Sequence, residues 1–367
     1  MTNFGRSFSN AQLLRRARSN PNYKDYDGRL EADVSRILEN YRYEWSYHDS
    51  DIPTRIAKTI IDNWEYVFFS NRTVKVKYIN HRTKRLILNE NNRPYDTIDE
   101  KFVVCDWSGA FSDDNILEYI SFEQVPNILI CNMDYMCARC SSLQEVNFGE
   151  LDLSFCDSMS YAFGDCPSLR TFAVPSERAG HFYINVQRMN GMFKNCTSLT
   201  NICLTNLYLH SLITVEGMFK NCTALVEASL NWHVQDSSSK KMNHDELFYN
   251  CPNLERVYLT LGASSKNYFA QQSRWGTVQK QEGSESNNST KHQDDKHKVK
   301  GVMKKKVKRK NSSDYDEDVF TNCESLKVLY IYDAKLGFIS HSLSNGMLTD
   351  CKNIERLFVN GGEVIFR

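Results

Sequence analysis

Met192-Phe193-Lys194-Asn195-Cys196-Thr197-Ser198-Leu199 returns 26 residues later as Met218-Phe219-Lys220-Asn221-Cys222-Thr223-Ala224-Leu225. Taking the cysteine of each word as origin, further copies centre on Cys140, Cys166, Cys251, Cys323 and Cys351. Position +3 then holds Leu143, Leu169, Leu199, Leu225, Leu254, Leu326 and Ile354. Position +6 holds Val146, Phe172, Ile202, Ala228, Val257, Leu329 and Leu357, and +8 holds Phe148, Val174, Leu204, Leu230, Leu259, Ile331 and Val359. Two apolar positions separated by one are strand spacing. An apolar pair at −4 and −3, such as Met192-Phe193 or Leu247-Phe248, lies one turn upstream of +3 if that stretch is helical or tightly turned. Each unit therefore reads as a short helix or turn followed by a short strand, and the chain as a stacked array.

The cysteine intervals are 26, 30, 26, 29, 72 and 28, so an insertion separates Cys251 from Cys323. Running the register back by 26 finds an eighth, degenerate unit, Ala110-Phe111-Ser112-Asp113-Asp114-Asn115-Ile116-Leu117, with Asp114 in the cysteine slot. An atypical terminal repeat is what a stack needs where one face meets solvent or a cap.

Twelve cysteines suggest disulfides or metal, and the register argues against both. Seven share one slot, where a small soft side chain fills the same space in every rung. The Cys137-x-x-Cys140 pair, with Cys131 upstream, places Cys137 at the −3 core position, and no second such pair completes a tetrahedral set. No metal and no cofactor are expected. Met1 to Asn20 has four arginines and no continuous apolar stretch, unlike an ordinary secretory signal, and no apolar run approaches membrane-spanning length. The expected compartment is cytoplasmic, with the nucleus and a non-classical route to the cell surface as alternatives. Asn195-Cys196-Thr197 and Asn221-Cys222-Thr223 are formal glycosylation acceptors inside the repeat turn, where a glycan would obstruct stacking.

Ahead of the array, Leu30, Val34, Ile37, Leu38 and Tyr41 recur at helical spacing. A second helix is expected from near Asp51, with Pro53 in its first turn and Ile56, Ile60, Ile61 and Trp64 on one face. Thr73 to Ile79 alternates as a strand that can pair with Arg85 to Asn89 as a hairpin. Together they form a helix-and-hairpin cap over 1–105, and the solenoid occupies 106–367.

The insertion, at about 263–316, is rich in Gln, Ser, Asn and Lys without apolar periodicity, and its composition predicts disorder. It carries 13 Lys plus Arg and 6 Asp plus Glu, a surplus of +7. Against chain totals of 45 and 45, the remainder holds 32 and 39, or −7. The cluster Lys304, Lys305, Lys306, Lys308, Arg309 and Lys310 can engage a nuclear import receptor or the phosphates of nucleic acid, or remain a solvated linker. Phosphorylation of Ser313 would offset that charge.

The word apolar-Phe-x-Asn-Cys-x-x-Leu-x-x-apolar-x-apolar resembles the BspA-like leucine-rich repeats, and the resemblance covers Ala110 to about Val359 outside the insertion. It implies a curved solenoid with one parallel sheet on its inner side, used for protein binding or adhesion. The expected fold is thus an α/β leucine-rich-repeat solenoid, short parallel strand plus helix or turn per repeat, with an N-terminal α+β cap. No nucleotide-binding, metalloprotease or nucleophile-elbow motif occurs, and His181, His210 and His233 fall in variable return segments, so the chain reads as noncatalytic. Recurrent acids at +4 or +5, Glu145, Glu227, Glu255 and Glu355, read as a solvated face or a contact for a basic partner. Residues at +5 and +7 flank the buried pair and vary from rung to rung: Thr171 and Ala173, Asn201 and Cys203, Glu227 and Ser229, Arg256 and Tyr258, Val328 and Tyr330, Arg356 and Phe358. Arg256, Tyr258, Tyr330, Arg356 and Phe358 are the candidate binding residues for a protein partner of unknown identity. The alternative is a nuclear or nucleic-acid-associated scaffold acting through the lysine cluster.

Overall fold

A computed structural model describes residues 55–69, 73–89, 91–94, 97–98, 102–122, 130–149, 151, 153, 155–174, 182–183, 186–205, 207–209, 211–232, 243–261, 318–333, 347–359 and 362–364. The helix expected at 29–42, the insertion at 263–316 with its lysine cluster, and His181, His210 and His233 lie outside them. The strands are β1 (Arg55–Ile61), β2 (Trp64–Phe69), β3 (Thr73–Tyr78), β4 (Arg85–Ile87), β5 (Thr97–Ile98), β6 (Phe102–Asp106), β7 (Tyr119–Ser121), β8 (Glu145–Asn147) and β9 (Thr171–Ala173). They continue as β10 (Phe182–Tyr183), β11 (Asn201–Leu204), β12 (Leu207–Tyr208), β13 (Glu227–Trp232), β14 (Arg256–Leu261), β15 (Val328–Asp333), β16 (Arg356–Val359) and β17 (Gly362–Val364).

The rungs stack in register. Ile202 pairs with Ala228, Ala228 with Val257, Val257 with Leu329 and Leu329 with Leu357, all in parallel ladders. Leu117, Leu143, Leu169, Leu199, Leu225, Leu254 and Leu326 form one fully buried column. The phenylalanines at −3 form another, with Phe163, Phe193, Phe219, Phe248 and Phe320 stacked face to face at 5.8, 5.5, 5.3 and 5.4 Å. Equivalent side chains one rung apart lie within ring-contact distance, so each rung completes the core of its neighbour.

The other half of each rung corrects the sequence expectation. No helix occurs among the described residues, and the stretch from −8 to 0 is a chain of tight turns. Its backbone enters the left-handed region at −5, in Gly109, Tyr135, Tyr161, Gly191, Gly217 and Glu246. It does so again at −1, in Asp113, Arg139, Asp165, Asn195, Asn221, Asn250 and Asn322. A right-handed helix cannot hold a positive φ every fourth residue. Alternate amides bond outward instead of along the chain: Phe193 N–H donates to Met218 O at 2.9 Å and Asn195 N–H to Lys220 O at 2.8 Å. Those between them close turns within the rung, as Met192 N–H does on Met189 O at 3.3 Å.

This geometry explains the motif residues. Asn tolerates the left-handed conformation, and at −1 its amide also builds a ladder: Asn250 Nδ2 donates to Asn221 Oδ1 at 2.9 Å, and Asn221 Nδ2 to Asn195 Oδ1 at 2.7 Å. Both formal glycosylation asparagines are thereby members of an inter-rung hydrogen-bond column. Cysteine is present for more than its size. The −3 carbonyls of Cys137, Phe193 and Phe219 accept their own rung's position-0 N–H and, on the second lone pair, the thiol of the next rung. Phe193 O, for example, takes Cys196 N–H at 3.1 Å and Cys222 Sγ–H at 3.0 Å. The same bond joins Cys140 to Phe111, Cys166 to Cys137, Cys196 to Phe163, Cys251 to Phe219 and Cys323 to Phe248, all at 3.0 to 3.1 Å. All seven ladder cysteines are free thiols.

In the degenerate first rung, Asp114 is 1% exposed. Its Oδ1 accepts Ile116 N–H at 3.0 Å and Leu117 N–H at 3.1 Å, and its Oδ2 lies 3.1 Å from His81 Nδ1. A carboxylate suits this slot because its partners are turn amides and an imidazole of the preceding segment, where a thiol would offer only one weak donor.

The capping region also differs from expectation. Residues 55–61 and 64–69, expected to belong to or follow a helix, are antiparallel strands β1 and β2. Trp64 is drawn into an aromatic cluster with Tyr78, Trp107 and Phe111, at centroid distances of 5.2 to 5.6 Å. Burying that ring inward at one end of an alternating segment selects the strand. The hairpin is also absent: β3 pairs with β2 and β6, and β4 runs parallel to β7. Strand β4 is thus a further rung of the inner sheet, ahead of the Asp114 unit, and the sheet β1-β2-β3-β6-β5 stands beside it. At the other end β17 pairs antiparallel with β16 and covers the last parallel edge.

Candidate functional site

Parallel, in-register strands place like positions side by side, so the inner face is a set of columns. Position +6 is buried in every rung from Ile120 to Leu357, whereas none of the twelve residues singled out at +5 and +7 is buried. The +7 column runs from Ala173 and Cys203 through Ser229 to Tyr258, Tyr330 and Phe358. Its last three members stack: Tyr258 and Tyr330 have centroids 5.0 Å apart with planes 13° from parallel, and Tyr330 and Phe358 are 4.3 Å and 2° apart. All three rings are partly exposed. The strand ladder imposes the stack, since Tyr258 pairs with Tyr330 and Tyr330 with Phe358.

The two candidate arginines flank this strip. Arg356 places its guanidinium 4.7 Å from the Phe358 ring centre and its Nε 3.2 Å from Glu363 Oε1 on β17. Arg256 Nε donates to Glu227 Oε2 at 2.7 Å, and its second arm reaches Glu255 Oε2 at 3.2 Å. Glu255 Oε1 also accepts from Lys327 Nζ at 2.9 Å. These bonds hold the Arg256 guanidinium charged more firmly than usual and the Glu255 carboxyl below its ordinary range. Burial, with Glu227 and Tyr330 nearby, pushes the Tyr258 phenol up. The five predicted residues therefore lie together on one face, the aromatic rings stacked and the arginines engaged with acids or a ring.

Of the recurrent acids, Glu227 and Glu255 are the partners of Arg256 and Lys327, while Glu145 and Glu355 are exposed. The partnering glutamates adjoin the candidate residues: Glu227 is one of the +5 residues singled out on this face, and Glu255 is one of the acids read as a solvated face or a contact for a basic partner. Their placement at +4 and +5, one rung from a basic residue at the same positions, was the available signal. Arg85, over the Tyr119 ring at 3.5 Å, extends the same +5 column at the other end of the sheet. Among the described residues no group of three His, Cys, Asp or Glu side chains is placed to hold a metal ion, and no helix is long and apolar enough to cross a membrane.

The family model "Mycoplasma protein of unknown function, DUF285" matches residues 131–258, the central rungs. Solved structures to which the chain is similar include leucine-rich-repeat or leucine-rich proteins. The leucine-rich repeat protein of T. pallidum is 18% identical with a TM-score of 0.38, the match covering 55% of this chain and 82% of that one. A leucine-rich cell surface protein from Faecalibacterium prausnitzii is 12% identical with a TM-score of 0.21, over 79% of this chain and 98% of that one. A leucine-rich-repeat protein from Eubacterium ventriosum is 7% identical with a TM-score of 0.18, over 57% and 87%. No curated protein matches the chain.

Proposed function

We propose that the chain is a noncatalytic protein-binding module whose contact surface is the inner sheet face, centred on Tyr258, Tyr330 and Phe358. The observation that carries this reading is the stacked, partly exposed aromatic column at +7, in an array whose other aromatic column, at −3, is buried. Rigid aromatic rings already held in place lose little entropy on contact, and such residues dominate interface energetics. Charges on this part of the face are paired within the protein, so the contact rests on apolar area and phenol hydrogen bonds and depends weakly on salt. Adhesion-type binding is one form such a contact takes.

The test is capture of a partner from a lysate by the immobilised full chain, compared with Tyr258→Ala/Tyr330→Ala. Retained circular dichroism with lost capture is the expected result. Unchanged capture by the double variant would place the contact surface elsewhere.

A further inference from the structure

The inner sheet is divided. Strand order is β4-β7-β8-β9 in one block and β11-β13-β14-β15-β16-β17 in the other, with no ladder between β9 and β11. Seven of the eight steps between successive rungs make the same paired contact, in which the amides of +4 and +5 both donate to the carbonyl of +4 in the rung before. Glu118 and Tyr119 donate to Lys84 O, Arg170 and Thr171 to Gln144 O, Val226 and Glu227 to Thr200 O, and Glu355 and Arg356 to Lys327 O. At the β9–β11 step, Thr200 and Asn201 make no such bond to Arg170 O.

The turn side of the same step is intact. Met159 N–H donates to Arg188 O at 2.8 Å, Tyr161 to Asn190 O at 2.7 Å, Phe163 to Met192 O at 3.0 Å and Asp165 to Lys194 O at 2.7 Å. Cys196 Sγ still reaches Phe163 O at 3.1 Å. Two adjacent rungs are therefore joined along one side and separated along the other. Phe172 stands in the opening. It is the one aromatic residue at +6, and it meets Phe193 edge-on at 5.0 Å and Phe163 at 5.1 Å. Exposure marks the same place: Phe172 is 8% and Ile202 3% exposed, against 0% for Ile120, Val146, Ala228, Val257, Leu329 and Leu357 in that column. The Phe163–Phe193 step is also the widest and most tilted of the stacked −3 column, at 5.8 Å and 13°.

We infer that this step is a seam at which the two blocks of the solenoid hinge about the turn-side ladder, opening and closing the inner face. Closing pairs Thr200 and Asn201 with Arg170 O and continues the sheet, and opening leaves those amides to water. The curvature of the inner face is then adjustable at this one place within the central rungs, because the other steps from the Asp114 rung to the Cys323 rung are held on both sides. The inference does not depend on what binds to the face.

Residue-resolved hydrogen exchange on the full chain tests it first. The Thr200 and Asn201 amides should exchange roughly tenfold or more faster than their equivalents Arg170, Thr171, Val226 and Glu227, because only the seam lacks the protecting bond. Equal protection at all six would overturn the inference. The second arm uses Ala173→Cys, which faces the native, exposed Cys203 across the seam at +7. A disulfide needs Cα atoms about 4.4 to 6.8 Å apart, the spacing of a closed ladder. Oxidation should form the bond and raise Thr200 and Asn201 to the protection of their neighbours, and reduction should restore fast exchange. Failure of the bond to form means the blocks do not close, and a formed bond without slowed exchange means closing does not govern those amides. Either result sinks the hinge.

Discussion

Gly217→Ala separates a turn from a helix by the sign of its effect. In a helix interior the substitution stabilises by about 1 kcal/mol. In this fold Gly217 has φ +59°, and an added Cβ meets nothing closer than Lys220 Cβ at 3.7 Å, so the change isolates backbone strain. Holding alanine in the left-handed region costs about 1 to 2 kcal/mol, and the variant should be destabilised by that amount. Gly191 occupies the same position one rung earlier with φ +55°, but there a Cβ would lie 2.5 Å from Tyr161 Cε1 and 2.8 Å from its Cδ1. The Tyr161 ring must move, giving up its stack on Tyr135 at 5.2 Å and 3°. Adding about 0.5 to 1.5 kcal/mol for that stack gives roughly 1.5 to 3.5 kcal/mol for Gly191→Ala. Urea unfolding of both variants, and of Gly191→Ala in a Tyr161→Ala background, closes the comparison. The background should reduce the Gly191 cost to that of Gly217, since only the strain then remains. Stabilisation by Gly217→Ala, or equal costs for the two glycines in the native background, would refute this account of the turn.

Two further outcomes follow from the ladder chemistry. Burial pushes the thiols of Cys196, Cys251 and Cys351 up to about 12 from an ordinary value near 9.0. Above pH 9 the unfolded chain sheds protons that the folded chain keeps, so stability is whole below pH 9 and falls between 9 and 12. The loss is about 1.4 kcal/mol per thiol at pH 10. Cys196→Ala should therefore be less stable than the native chain at pH 7 yet lose less between pH 8 and 10 in denaturant titrations. Parallel pH curves would argue against buried thiols as the cause. Asp114→Ala removes a buried acceptor from two turn amides and should cost about 2 kcal/mol in thermal or urea unfolding, within the range for orphaned buried donors. Asp114→Asn keeps a carbonyl for those amides and should cost less than half as much. An equal loss would shift the weight to the contact with His81.

How far the sequence was legible depends on whether a feature is carried by composition at a position or by the path of the backbone. Which residues point inward was readable, because Cys196, Leu199, Ile202 and Leu204 must be apolar in every rung for the core to be continuous. The register of the inner face followed from it, since a residue between two buried ones in a strand faces outward, and Tyr258, Tyr330 and Phe358 share one column. The degenerate rung at Asp114 was readable by the same arithmetic.

The handedness of the turn was not, because −4, −3, 0 and +3 recur at three- and four-residue steps in a helix and in linked turns alike. Gly191, Gly217, Asn195, Asn221 and Asn250 carried the missing signal, which is a preference of φ and leaves no trace in hydrophobic spacing. The cap was misread for a related reason: Ile56, Ile60, Ile61 and Trp64 fit a helical face, and their pairing into β1 and β2 depends on partners across a sheet. Strand β4 joins the solenoid instead of β3 because β7 offers it a free parallel edge. The seam between β9 and β11 lies furthest from the sequence, since it lies where one phenylalanine, Phe172, sits edge-on against Phe163 of its own rung and Phe193 of the next. Repetition dictates the interior one residue at a time, whereas backbone chirality, the choice of strand partner and the fit between successive rungs arise only when distant segments meet.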